Sequence, residues 1–230
     1  MKRLLLLFIA TCFSVNLSNA QIDDDQLGAW YMYFWTADLN ESRWGFQGDI
    51  QYRNWDIIGD LEQLLLRGAV TYRPKDTNIK LALGYANITT GAFGDDDSTV
   101  NESRIYQEAL MPQKVGGRLY FTHRFRYEQR FNEGQDFRTR FRYGLFLNIP
   151  LSGKEIVAKS WYLGFYNELF INGENNIGDG RRVNTFDRNR LFGAVGYALK
   201  KDLKIQVGLM RQISNGVDKT QLQFGVFHSF

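Results

Sequence analysis

Apolar and polar residues alternate along most of the chain, in segments of about ten to fifteen residues that end in turns. In the segment 43–53, every second position from Trp44 to Tyr52 is apolar or glycine, and the positions between them are polar or glycine. A period of two predicts a β-strand. Three further segments show it clearly: 63–72, 118–130 and 137–149. Weaker versions occupy 26–37, 78–89, 102–111, 160–172, 185–199, 203–213 and 220–230.

These segments predict an all-β domain over residues 21–230, with no helix of any length. The turns between them contain the Gly, Pro, Asn and Asp residues that favour chain reversal. Because bacterial single-chain barrels have even strand numbers, we expect a transmembrane antiparallel up-and-down barrel of 10 to 12 strands. The count of eleven segments suggests one error near the N-terminal half.

The alternation alone does not say whether the apolar face points inward, as in a soluble β-protein, or outward to lipid. Three features favour the outward reading. The chain has 18 Arg against 10 Lys, and arginine suits close pairing with carboxylates in a confined space. The segments match the ~9–11 residues that cross a bilayer. The chain ends in Phe230, which resembles the terminal assembly signal of Gram-negative outer-membrane barrels.

The first twenty residues predict a cleaved secretory signal, with Lys2 and Arg3 before a short apolar stretch and Ala20 before the cut. The sequence before Cys12 resembles a lipoprotein cleavage box, which is a weaker alternative to cleavage after Ala20. Cleavage removes this single cysteine, so disulfides are excluded from residues 21–230. Cleavage leaves 26 basic and 25 acidic residues, and this nearly balanced charge does not indicate nucleic-acid binding. We expect the outer membrane of a Gram-negative bacterium.

Counting back from a periplasmic C-terminus assigns each turn to one side of the membrane. The outer loops are 90–101, 132–136, 173–184 and 214–219. The periplasmic turns are 74–77, 112–115, 150–159 and 200–202. The acidic run Asp95-Asp96-Asp97 then lies outside, and Asp23-Asp24-Asp25 follows the cleavage site. Neither has EF-hand spacing, so a solvated acidic loop is favoured over a Ca²⁺ site and no metal is assigned.

The polar faces predict a charge network in the lumen. Its residues are Arg67, Arg104, Glu108, Arg124, Arg126, Glu128, Arg130, Arg138, Arg140, Arg142, Glu168 and Arg190. The structural interpretation is a set of Arg–carboxylate pairs that fills and stiffens a small barrel. The alternative is a constriction of a narrow porin that admits a small anionic solute.

The sequence offers little for catalysis. Its two histidines, His123 and His228, fall on the apolar face by alternation. The segment QISNG at 212–216 resembles the His-x-Ser-Asn site of outer-membrane lipid A deacylases, but Gln212 stands where that family needs its histidine. We therefore expect no catalytic residue and no cofactor, with a lipid hydrolase as the second alternative.

A series of short motifs resembles a family of Gram-negative outer-membrane barrels, domain of unknown function 2490. The motifs, in order, are LGAW at 27–30, QLLLRG at 63–68, HRFRYEQR at 123–130, RFRY at 140–143, YNELFIN at 166–172 and NRL at 189–191. The resemblance, which is carried by the order of these motifs, extends over nearly all of residues 21–230. The resemblance implies a barrel and supplies no activity. The expected partners are outer-membrane lipid, lipopolysaccharide and the barrel assembly machinery.

Overall fold

The computed structural model describes residues 26–216 and 218–230. The predicted signal segment, Cys12 and Asp23-Asp24-Asp25 lie outside the described residues. Eleven strands form one closed barrel. They are β1 Leu27–Asp38, β2 Trp44–Asn54, β3 Leu61–Tyr72, β4 Lys80–Gly91, β5 Thr99–Val115, β6 Leu119–Asn132, β7 Arg138–Pro150, β8 Ser160–Asn172, β9 Phe186–Ala198, β10 Leu203–Ser214 and β11 Lys219–Ser229. Each predicted segment corresponds to one strand, which confirms the all-β fold.

The expected even strand number is wrong, and the eleven segments contain no miscount. Neighbouring strands pair antiparallel except at the closure, where β1 and β11 run parallel in unbroken register from Leu27 opposite Thr220 to Thr36 opposite Ser229. A parallel pair removes the need for an even number. Stacked rings support this seam: the Phe34 and Phe227 centroids are 4.9 Å apart. Backbone pairing continues to the terminus, where the Phe230 N–H donates to Thr36 O at 2.8 Å.

The odd number places Gln26 and Phe230 at opposite ends of the barrel. We name these the N-terminal end and the C-terminal end. The four turns predicted as outer loops meet at the N-terminal end, and the turns predicted as periplasmic meet at the C-terminal end. Among the described residues, no helix is long and apolar enough to span a membrane.

The prediction of a turn at 112–115 is wrong. Strand β5 continues to Val115, which lies opposite Leu119, and Pro112 pairs within the hairpin opposite Thr122. The reversal falls one step later, at Gly116 and Gly117, whose φ angles are 58° and 77°. Glycine adopts this left-handed conformation without steric cost, so the chain reverses there rather than at the proline.

Candidate functional site: the barrel interior

The barrel carries its charges inside and its large apolar side chains outside. On β6 the buried positions are Arg126, Glu128 and Arg130, while Phe125 and Phe131 on either side of this set are exposed. Alternation along a strand places these two sets on opposite faces. The arrangement is the reverse of a soluble β-protein, in which the apolar face is the buried one.

Glu128 is the centre of the interior charge network and is 1% exposed. One oxygen lies 2.7 Å from Arg140 and the other 2.7 Å from Arg142. Arg126 and Arg104 approach the same carboxylate at 3.7 Å and 3.8 Å. The strand register explains the cluster, because Glu128 lies directly opposite Arg140 on β7 and its other neighbours lie on adjacent positions of β5, β6 and β7.

Two further predicted carboxylates extend this cluster. Glu168 on β8 contacts Arg124 at 2.6 Å and Arg142 at 2.7 Å. Glu108 on β5 contacts Arg126 at 2.5 Å and lies 3.9 Å from Arg124. Each of these arginines therefore bridges two carboxylates. Multiply paired, hydrogen-bonded charges offset the cost of burial better than isolated pairs do.

Four interior carboxylates were missed by the sequence reasoning. One of them, Glu62, pairs with Lys219 at 3.1 Å and accepts a hydrogen bond from Trp30 Nε1 at 3.2 Å. Glu102 holds Arg104 at 2.7 Å and Arg130 at 2.5 Å. Asp49 lies 2.9 Å from Arg67, and Asp187 lies 2.8 Å from Arg140. Asp49 and Glu102 each lie on the polar face of their predicted segment, so the alternation of polar and apolar residues could have identified them. Asp187 could not be found this way, because the β8–β9 register shifts between Phe170 and Ile171.

We call the connected part the Arg–carboxylate network: Arg104, Arg124, Arg126, Arg130, Arg140, Arg142, Arg188, Glu102, Glu108, Glu128, Glu168 and Asp187. Arg67 pairs separately with Asp49. Two predicted members, Arg138 and Arg190, are buried but have no carboxylate at ion-pair distance within the described part of the chain. The structure thus brings together most of the predicted set and leaves three predicted cations, Arg67, Arg138 and Arg190, outside the network.

Arg190 belongs to a second cluster, built on Trp30. The guanidinium of Arg53 lies 3.7 Å from the Trp30 ring centroid, and that of Arg190 lies 4.8 Å from the same centroid. Neutral amides hold both cations: Arg53 donates to Gln51 and Gln63, and Arg190 Nε donates to Gln212 at 2.9 Å. We call Arg53 and Arg190 the arginine pair. Sequence reasoning left Arg53 and Trp30 outside the site.

A cavity of about 620 Å³ runs along the lumen, from Gln135 near the N-terminal end to Ile156 near the C-terminal end. Nine arginines and Lys204 line it, against two carboxylates, Glu102 and Glu168. The arginine pair and part of the Arg–carboxylate network face this space. The interior is therefore an electropositive cavity beside a wall of paired charges.

The residues considered for catalysis lie apart from this cavity or are otherwise engaged. His123 and His228 face outward, where their Nδ1 atoms lie 2.9 Å and 3.0 Å from the hydroxyls of Tyr143 and Tyr33. Gln212 accepts a hydrogen bond from Arg190, which differs from the base-and-hydroxyl pairing that a hydrolase requires. Through Gln212, the QISNG segment therefore supplies a hydrogen-bond acceptor for Arg190.

The acidic turn between β4 and β5 is organised by its own backbone. The Ser98 N–H donates to Asp96 Oδ1 at 2.9 Å, and this bond lowers the pKa of Asp96 below its ordinary value. Within residues 26–216 and 218–230, no group of three or more His, Cys, Asp or Glu is arranged to hold a metal ion. Phe230 is exposed and packs on His228, with 4.1 Å between the ring centroids.

Comparison with known proteins gives one match. The family model described as "Protein of unknown function (DUF2490)" matches residues 27–223, which include all the strands that carry the network and the first five residues of β11. No curated protein and no solved structure matches the chain. The chain therefore belongs to the DUF2490 family.

Proposed function

We propose that this protein is an integral β-barrel of a Gram-negative outer membrane, without enzymatic activity, whose lumen is stiffened by the Arg–carboxylate network. The observation that carries the proposal is the inversion of its faces: paired charges inside and large apolar side chains outside. A barrel that spans a bilayer needs this arrangement, because its outer face contacts hydrocarbon.

The outer surface supports a lipid environment. Exposed aliphatic and aromatic side chains occur on every strand from β1 to β10, for example Ile50, Leu83, Phe141 and Leu209. Soluble monomers rarely expose a contiguous apolar surface larger than a few hundred Å². An apolar belt that extends around the barrel is larger than that, so contact with water would be unfavourable for this face.

Aromatic residues near the C-terminal end supply a second support. Trp44 packs on Tyr72 with 4.8 Å between ring centroids, and Trp161 packs on Tyr197 with 4.7 Å. All four lie at the ends of strands that meet at the C-terminal end. Tryptophan and tyrosine concentrate at membrane–water interfaces, so these pairs match the aromatic girdle of an outer-membrane barrel.

The lumen is narrow for a pore. Strands of about eleven residues with a tilt of about 40° give a barrel about 30 Å tall. Inside it, the cavity of about 620 Å³ has the size of a small-molecule site, and paired Arg and carboxylate side chains fill the wall beside it. A space of this size suits a stiffened barrel better than a general diffusion porin.

The proposed partners follow from the two surfaces. The apolar belt contacts outer-membrane lipid and lipopolysaccharide, and β11 with Phe230 engages the assembly machinery. We expect the protein to fractionate with outer membranes and to migrate differently on detergent gels before and after boiling. Recovery as a soluble periplasmic protein would contradict the proposal.

The lack of enzymatic activity has its own test. Purified protein mixed with phospholipid or lipopolysaccharide should release no fatty acid. Ser214→Ala is the informative variant, because Ser214 holds the position of the hydroxyl in the segment that resembles lipid A deacylases. Release that disappears in Ser214→Ala would establish a hydrolase instead.

A narrow anion-preferring porin is the second candidate, favoured by the excess of arginine over carboxylate along the cavity. Planar-bilayer recording separates it from the closed barrel. We expect little or no steady conductance in the wild type, with any residual current anion-selective, because fixed cationic groups attract anions. Large anion currents would favour the porin, and large cation-selective currents would contradict both candidates.

A further inference from the structure

We propose that the lumen holds a specific binding site for an amphipathic carboxylate, whose anionic head is bound by Arg53 and Arg190 and whose apolar body lies along the aromatic wall toward the C-terminal end. The inference goes beyond the proposed function. It depends on the barrel and its cavity and not on the membrane in which the barrel lies. The binding site and the proposed outer-membrane location can therefore fail independently of each other.

The arginine pair carries two charges that the described residues leave without an anion. Both side chains are buried, and both face the cavity. Their hydrogen bonds go to glutamine oxygens, and neither guanidinium has a carboxylate of the described residues within 4 Å. The nearest acidic residues are engaged by others: Glu62 pairs with Lys219 and accepts from Trp30 Nε1, and Glu168, opposite Arg190 in the register, pairs with Arg124 and Arg142. The arginines of the network differ, because each has a carboxylate partner.

The geometry of the pair suits one shared anion. Both guanidinium groups lie within 5 Å of the Trp30 ring centroid, although they come from β2 and β9, so a ligand bound beside this ring is near both cations. Buried cations without a counter-charge are costly, and a bound carboxylate relieves that cost. Arginine presents a planar fork of N–H groups that matches a carboxylate. Among the described residues, Arg190 Nη1 and Nη2 have no hydrogen-bond partner, which leaves that fork open toward the cavity.

The cavity changes character along the barrel axis. Moving from Trp30 toward the C-terminal end, β1 presents Met32 and then Phe34 to the cavity. On the facing strands, Tyr166 stacks on Phe192 with 4.7 Å between ring centroids. The lining toward the C-terminal end is thus richer in aromatic rings, beside which Lys204, near the start of β10, also lines the cavity. An inorganic anion would use only the arginine pair, whereas a carboxylate with an apolar body would also use the aromatic lining.

The size of the space agrees with such a ligand. A volume of about 620 Å³ falls within the ~300–1,000 Å³ typical of small-molecule sites, which are mostly apolar with a few placed polar groups. The aromatic rings contribute by burial of the ligand body, and the arginine pair orients its head.

The test uses 4-bromobenzoate as the probe and Trp30 as the reporter, because bromine quenches a tryptophan that it contacts. A variant that keeps Trp30 and carries phenylalanine at the other four tryptophans isolates the signal. We expect saturable quenching by 4-bromobenzoate. The neutral isostere 4-bromobenzamide should quench much less, and inorganic phosphate should compete poorly.

Arg53→Gln and Arg190→Gln should each weaken the apparent affinity at least about tenfold, which corresponds to about 1.4 kcal/mol. Arg211→Gln is the matched control, because Arg211 is exposed on the outer face, and it should bind like the parent.

The heat-dependent gel shift establishes that each variant is a folded barrel. The amide and phosphate comparisons need no variant, so they test the proposal even if an arginine variant fails to fold. Equal quenching by acid and amide, or unchanged affinity in both folded arginine variants, would overturn the site. Phosphate that displaces the probe at equal concentration would overturn its amphipathic character.

Discussion

Glu128→Gln should lower the free energy of unfolding by about 3–5 kcal/mol, the range found when one partner of a buried ion pair is removed. The substitution keeps the shape of the side chain and removes its charge. Arg140 and Arg142, each 2.7 Å from this carboxylate, then lose their shared counter-charge in the interior. Urea titration of the protein folded into lipid vesicles, followed by circular dichroism and by the gel shift, measures the change.

The control for this prediction is Glu155→Gln. Glu155 is exposed in the turn between β7 and β8 and lies 3.6 Å from the exposed Lys114. Surface pairs of this kind contribute about 0–1 kcal/mol, so the same chemical change should cost little there. Equal and small effects at both positions would show that the Arg–carboxylate network does not stabilise the barrel.

Leu209→Arg should weaken folding into lipid vesicles by about 2–4 kcal/mol. Leu209 lies at the middle of β10, faces outward and is 53% exposed. A charged side chain at the bilayer midplane of a barrel carries a cost of this size, whereas the same change on a water-facing surface is nearly neutral. The result therefore reports which solvent the outer face meets.

Ile58→Arg provides the comparison for Leu209→Arg. Ile58 is 84% exposed and lies in the turn between β2 and β3, beyond the strands. The added charge should be nearly neutral there, because a turn at the end of the barrel remains in water. If Leu209→Arg is as harmless as Ile58→Arg, the outer face does not contact hydrocarbon.

Most of the fold was accessible from local alternation, because a period of two repeats within each strand. The segment predicted at 160–172 coincides with β8, and the polar faces of β6 and β7 identified the inward arginines. The parallel closure was not accessible. Strands β1 and β11 are separated by the whole domain, and alternation says nothing about the direction in which the first and last strands meet.

The candidate site divides in the same way. Glu128 and Arg140 lie on one hairpin, so alternation and a turn suffice to place them together. Trp30 and Arg53 also lie opposite each other on one hairpin, but Arg190 meets them only because closure joins β1 to the strands β9 to β11. A contact that depends on closure has no local sequence signal. This is why the arginine pair emerges from the structure alone.

The most direct test of the membrane barrel with a charged lumen is quenching of single tryptophans by lipids with brominated acyl chains. Two variants are compared in vesicles, one that keeps only Trp161 and one that keeps only Trp30. Trp161 faces outward and is 53% exposed, whereas Trp30 faces the lumen and is 3% exposed. We predict strong quenching of Trp161 and little quenching of Trp30. No quenching of Trp161, or quenching of Trp30 as strong as that of Trp161, would contradict a barrel with its apolar face in lipid.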